Sequence, residues 1–159
     1  MKKVVLNEEL TLEFPGGFES MAPEKEASLK MVGERGQGEA VEDTERHIVS
    51  SCAFKEVGTL SSLLLNSKDL IKSAAKKILG AMKDFGCESD GFFTENVGGK
   101  KMEGVRYHYT AQDTAMTAET LAMKKGRVFY YLHFYYRTEL REDSRRVIAE
   151  ILKTAKWNA

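Results

Sequence analysis

Apolar positions recur along this chain in two rhythms, one of period two and one of period near three and a half. Between residues 127 and 137 the run Arg-Val-Phe-Tyr-Tyr-Leu-His-Phe-Tyr-Tyr-Arg is dense in the β-branched and aromatic types that suit a pleated surface. Val128, Tyr130, Leu132, Phe134 and Tyr136 share one alternating face, and Phe129, Tyr131, His133 and Tyr135 share the other. Neither face can meet water without exposing several rings, so the run predicts a central strand covered on both sides. Three further strand-like runs precede it, at 88–96, 101–111 and 115–124. The pieces between runs (Gly98-Gly99, Gln112-Asp113-Thr114 and Lys125-Gly126) are short and polar, which predicts hairpins and therefore an antiparallel meander.

The slower rhythm marks two helices. In the first, Asn66 is placed to cap, Asp69 to complete a capping box, and Ile71, Ala75, Ile78, Met82 and Phe85 form a stripe with lysines outside it. Gly86 is placed to stop this helix, and Gly80 inside it implies close approach of another backbone. The second begins near Thr138 or Glu139 and runs to about Trp157, burying Leu140, Val147, Ile148, Ile151, Leu152 and Ala155. Acids open it, lysines close it, Glu142 and Arg146 form a four-residue pair, and Trp157 covers its end.

Toward the N-terminus, Val4-Val5-Leu6, a polar break and then Leu10, Leu12 and Phe14 read as edge-type strand with one buried face. Pro15-Gly16-Gly17 ends it, with Phe18 and Met21 anchoring the turn. Residues 23–31 predict a short helix opened by Pro23, residues 32–43 a loop of glycine and charge, and 44–54 another strand. Residues 58–65 are apolar and serine-rich, and predict irregular chain closing over the core.

Length and charge narrow the field. The 159 residues suit one domain spanning 1–159. With 24 basic and 24 acidic residues the net charge is zero, which argues against nucleic acid and against a membrane surface as partners. No signal-peptide core follows Lys2-Lys3, and no apolar run approaches a membrane span, so a cytoplasmic chain is expected. Cys52 and Cys87 lie in separate elements without a Cys-x-x-Cys or Cys/His cluster, and read as reduced, half-buried thiols. The scattered glycines at 33, 36 and 38 lack the lysine and hydroxyl that would make a phosphate cradle.

The opening Leu10-Thr-Leu-Glu-Phe-Pro-Gly-Gly-Phe18-Glu-Ser-Met21 resembles the entry strand of the PsbP-like fold, and Ile148-Ala-Glu-Ile-Leu-Lys-Thr-Ala-Lys156 resembles its closing helix. Photosystem PsbP subunits, a Ran-binding nuclear import factor and small bacterial proteins of the DcrB type share that fold. The resemblance implies an α+β architecture in which an antiparallel sheet of about six to seven strands lies between helices (α/β/α). It also implies a family dominated by non-enzymatic interaction proteins, and it brings no catalytic residues to transfer. Unlike the DcrB type, the chain is expected to carry no export signal.

Candidate chemistry is sparse. His47, His108 and His133 fall on three predicted strands without the spacing of metal ligands, so neither a metal nor a cofactor is expected. Six tyrosines crowd two strands, and buried phenols need partners, which points to a pocket or a wet interface. Tyr131, His133 and Tyr135 would line it, with Arg106, His108 and Arg127 supplying polar groups. Two functions therefore stand: a non-enzymatic module binding another protein through the 32–43 loop and the sheet ends, or a binder of a small apolar or aromatic ligand in a tyrosine-lined pocket. No paired acid and base for an enzyme is evident.

Overall fold

The computed structural model describes residues 1–25 and 37–158. A seven-stranded sheet organises it, in the order β3 (Glu19–Ser20), β4 (Gln37–Asp43), β5 (Ile48–Glu56), β9 (Val128–Arg137), β8 (Thr114–Lys125), β7 (Lys100–Ala111) and β6 (Glu88–Val97). Every pairing is antiparallel. The aromatic run is the fourth strand of seven, and its two faces feed two separate cores, as the alternation requires. Strands β6 to β9 form the expected meander.

One face of the sheet presents Tyr130, Leu132, Phe134 and Tyr136. They pack against a small sheet, β1 (Lys2–Leu6), β2 (Leu10–Phe14) and β10 (Lys156–Trp157), and against helix α3 (Arg141–Lys153). The opposite face presents Phe129, Tyr131 and Tyr135, packed against helix α2 (Ser67–Ala81) through Leu70, Ile71, Ala74, Ala75 and Ile78. The capping box of α2 is present: the Asn66 side chain accepts from Asp69 N–H at 2.9 Å, and Asp69 accepts from Asn66 N–H at 3.0 Å. Gly86 ends the following 3-10 turn in the left-handed region at φ 66°.

Several expectations are corrected. Residues 3–14 form two paired strands around a turn at 7–9, Leu6 lying opposite Leu10. Gln37–Asp43 is strand and not loop; Gly38 admits it to the sheet, because a Cβ there would stand 1.9 Å from the Cys52 carbonyl oxygen. Residues 44–47 turn the chain into β5, with His47 at φ 58°. The last helix stops at Lys153, and the chain then reverses so that Lys156 and Trp157 pair with Thr11 and Leu10. Trp157 donates to the Val97 carbonyl at 2.8 Å and meets Tyr130 edge-on at 5.1 Å. Asp143, not Glu142, pairs with Arg146, at 3.0 Å. Phe85 is exposed rather than in the stripe, and nothing crowds Gly80. Pro23 begins helical backbone as expected, but most of the 23–31 helix lies outside the described residues, as does 32–36 of the expected loop.

The largest departure is 58–65. Thr59–Leu64 is a helix, α1, and it closes over nothing: none of its residues is buried.

Candidate functional site

The six residues singled out from the sequence separate in space. Tyr131, His133 and Tyr135 alternate on the α2 side of β9, and their rings form a ladder: both neighbouring pairs have centroids 6.3 Å apart, with interplanar angles of 5° and 19°. Arg106 and His108 project from β7 on the other side of the sheet, so they cannot serve a pocket beside that ladder. Arg106 binds the buried Glu119 at 3.0 Å and lies over the Phe93 ring, while His108 bonds Asp90 at 2.8 Å. Arg127 is exposed at the β8–β9 turn. A one-residue step in β7 thus decides which core an arginine or a tyrosine serves.

The ladder is a polar island in an apolar face. His133 Nδ1 bonds the Thr120 hydroxyl at 2.8 Å, while its Nε2, buried, has no hydrogen-bond partner. Burial lowers the imidazole pKa to about 4, so it is neutral at pH 7. The Tyr107 hydroxyl on the same face is also buried, with Thr120 and Tyr135 beside it but no well-formed hydrogen bond, and burial raises its pKa further than the charge of Tyr135 does. Such atoms call for explanation, since an unmade buried hydrogen bond costs about 1–3 kcal/mol.

On the opposite face, the buried Glu119 carboxylate takes the Tyr136 hydroxyl at 2.7 Å and Arg106 at 3.0 Å, with Arg145 of α3 at 3.9 Å. Burial and the Glu119 charge raise the Tyr136 pKa. This network borders an open groove of about 560 Å³ beside α3, lined by Glu119, Arg141, Arg145, Ile148 and Leu152 among others. Cations and carboxylates there answer one another, so the network reads as a clamp between α3 and the sheet.

Neither thiol is activated. Burial pushes Cys52 up to about 12, and burial with nearby Asp90 and Glu88 raises Cys87. Among the described residues no group of three or more His, Cys, Asp or Glu side chains is arranged to hold a metal ion. None of their helices is long and apolar enough to cross a membrane.

The feature that sequence reasoning placed wrongly is α1. Leu60, Leu63 and Leu64 are 70%, 75% and 69% exposed. They stand at i, i+3 and i+4, one face of the helix, and that face points to water. The half-buried residue of α1 is Ser62 on the reverse side, whose carbonyl accepts from the Lys124 ammonium of β8. Ser67, just beyond, accepts from Lys124 N–H at 3.0 Å and ties the start of α2 to the same strand. The helix is therefore amphipathic inside out. Its signal was in the sequence, in the spacing of leucines against Ser61 and Ser62.

No protein family is matched by the chain's sequence, and no curated protein matches it. Solved structures do. Cyanobacterial PsbP (CyanoP) from Synechocystis sp. PCC 6803 superposes with a TM-score of 0.69 at 11% identity, over 99% of this chain and 92% of that one. LpqN of Mycobacterium tuberculosis, described as involved in cell envelope biogenesis, gives 0.62 at 11% identity, over 99% and 91%. The Saccharomyces cerevisiae Ran-binding protein Mog1p gives 0.52 at 11% identity, over 98% and 95%. Identities this low carry the fold and nothing finer.

Proposed function

Since the chain has the PsbP-like fold, we propose that it is a non-catalytic protein-interaction module that docks through the leucine face of α1. The observation that carries this reading is a helix that buries nothing of its own and turns three leucines to solvent. Folding does not supply a reason for that orientation, whereas docking does: contiguous exposed apolar surface marks sites of association. Absent an activated nucleophile or a metal-binding cluster among the described residues, the site chemistry supports binding over catalysis. Of the proteins similar in fold, Mog1p is itself named as Ran-binding, which accords with a protein partner. Two free thiols held protonated suit a reducing, cytoplasmic setting. The expected 32–43 surface gives way to α1, since 37–43 is strand inside the sheet.

The test is a variant carrying Leu60→Ser, Leu63→Ser and Leu64→Ser. Its melting temperature should match the parent, and a partner recovered by the parent in affinity capture should be lost. Identical recovery by parent and variant would remove the reading.

One observation favours a second reading, a small-ligand site on the tyrosine ladder: His133 Nε2 is buried without a hydrogen-bond partner, on the same face as the Tyr107 hydroxyl. A ligand with a polar group on an aromatic frame would satisfy that nitrogen. Tyr131→Ala with Tyr135→Ala separates the cases. A co-purifying small molecule lost from native mass spectra of a folded variant supports the site, and destabilisation alone assigns the ladder to the core.

A further inference from the structure

Building on that docking role, we infer that α1 takes an acidic amphipathic helix of another protein, whose apolar face meets the leucines and whose carboxylates meet the cations around them. The spacing of Leu60, Leu63 and Leu64 is that of the anchors with which one helix packs on another. Four exposed cations lie close to α1 along the chain or the sheet register: Lys55 at the end of β5, in the same cross-strand row as Lys124, Lys68 and Lys72 one turn apart on α2, and Arg127. Arg127 is fixed beside α1 because its carbonyl accepts from Val57 N–H at 2.9 Å, directly ahead of the helix. The acids of the same stretch are Glu56 and Asp69, which leave the four cations in excess by two. A chain whose net charge is zero therefore sets a local excess of positive charge around its outward leucines.

That charge also sorts the occupants. A second copy, meeting this face about a two-fold axis, would set cations against cations. Three leucine side chains are moreover a small part of the ~800 Å² per partner that stable dimers bury. An anionic bilayer is served by clusters of about 4–8 cations or by a second anchoring signal, and here Glu56 and Asp69 dilute four. An acidic helix needs neither a large area nor a polybasic cluster.

The experiment measures fluorescence anisotropy of labelled three-heptad peptides with leucine at the a and d positions and either glutamate or lysine elsewhere. The glutamate peptide should bind the parent about tenfold more tightly than the lysine peptide. Lys68→Glu with Lys72→Glu should erase that preference, and the triple leucine-to-serine variant, shown folded by circular dichroism, should bind neither. Equal binding of both peptides, lost in the triple variant, would overturn the acidic partner and leave the docking role standing. Unchanged binding to the triple variant would overturn both. Concentration-dependent dimerisation in sedimentation, or co-sedimentation with phosphatidylcholine–phosphatidylserine vesicles, if either is abolished by the leucine substitutions, would overturn the inference in favour of a second copy or a bilayer.

Discussion

Helices α1 and α2 are neighbours in the chain, joined by Leu65 and Asn66, and they solve opposite problems. α2 carries a side-chain cap, buries Leu70, Ile71, Ala74, Ala75 and Ile78, and leaves its lysines in water. α1 has no side-chain cap, buries nothing, and leaves its leucines in water. Both have their polar and apolar residues sorted by face. Amphipathicity therefore says that a helix has two faces; what it packs against decides which one is inside. α2 lies across the apolar residues of β7, β8 and β9, whereas α1 is fastened at the sheet end by a lysine to a main-chain carbonyl.

The contrast can be broken by deletion of methyl groups. Ile71→Ala should cost roughly 2–5 kcal/mol of unfolding free energy, as buried truncations do, while Leu63→Ala should change it by less than about 0.5 kcal/mol. Urea denaturation of the two variants measures both, and a large loss for Leu63→Ala would mean that α1 is packed after all. A somewhat smaller effect is expected from acid on the core beneath α2. The His133 pKa is about 4 in the folded chain against an ordinary 6.5, so the unfolded chain takes up the proton first. Stability should be full above pH 6.5 and fall as pH drops toward 4, by about 3 kcal/mol from this residue alone. His133→Asn should flatten that part of the profile, and the parent-minus-variant difference in urea midpoint across pH isolates it from the carboxylates. A smaller loss than either of the core effects tests the cap: Asn66→Ala should cost about 1 kcal/mol, with earlier exchange of the first amides of α2 and little change elsewhere.

Most of the fold was legible because its elements are long and strictly periodic. The aromatic strand announces two covered faces, and the hairpin-length gaps around it announce the meander. The capping box of α2 is written at Asn66 and Asp69, whereas the left-handed stop at Gly86 comes one 3-10 turn after α2 has already ended at Ala81. What was not legible depended on partners remote in sequence. Lys156 and Trp157 look like the last turn of a helix until Thr11 and Leu10 of β2 are there to pair with them. The candidate site failed at a finer level. Arg106 and His108 sit close to Tyr107 and Tyr109 in the chain, but strand parity sends them to the opposite core, and only the register with β8 and β9 reveals which residues meet. Residues 58–65 suggest irregular chain closing over the core because apolar content alone does not tell which side of the segment, the leucines or Ser62, faces the protein.

Trp157 is the sole tryptophan of the chain, and it stands where the small sheet meets the large one, against Tyr130 and the Val97 carbonyl. The molecule thus carries its own tryptophan probe at a joint and none in α1, α2 or α3. Its emission will report the seating of the terminal strands on the meander, while circular dichroism follows the whole chain. If the two signals part company on heating or in denaturant, the joint opens before the sheet melts, and that separation can be read without attaching a label.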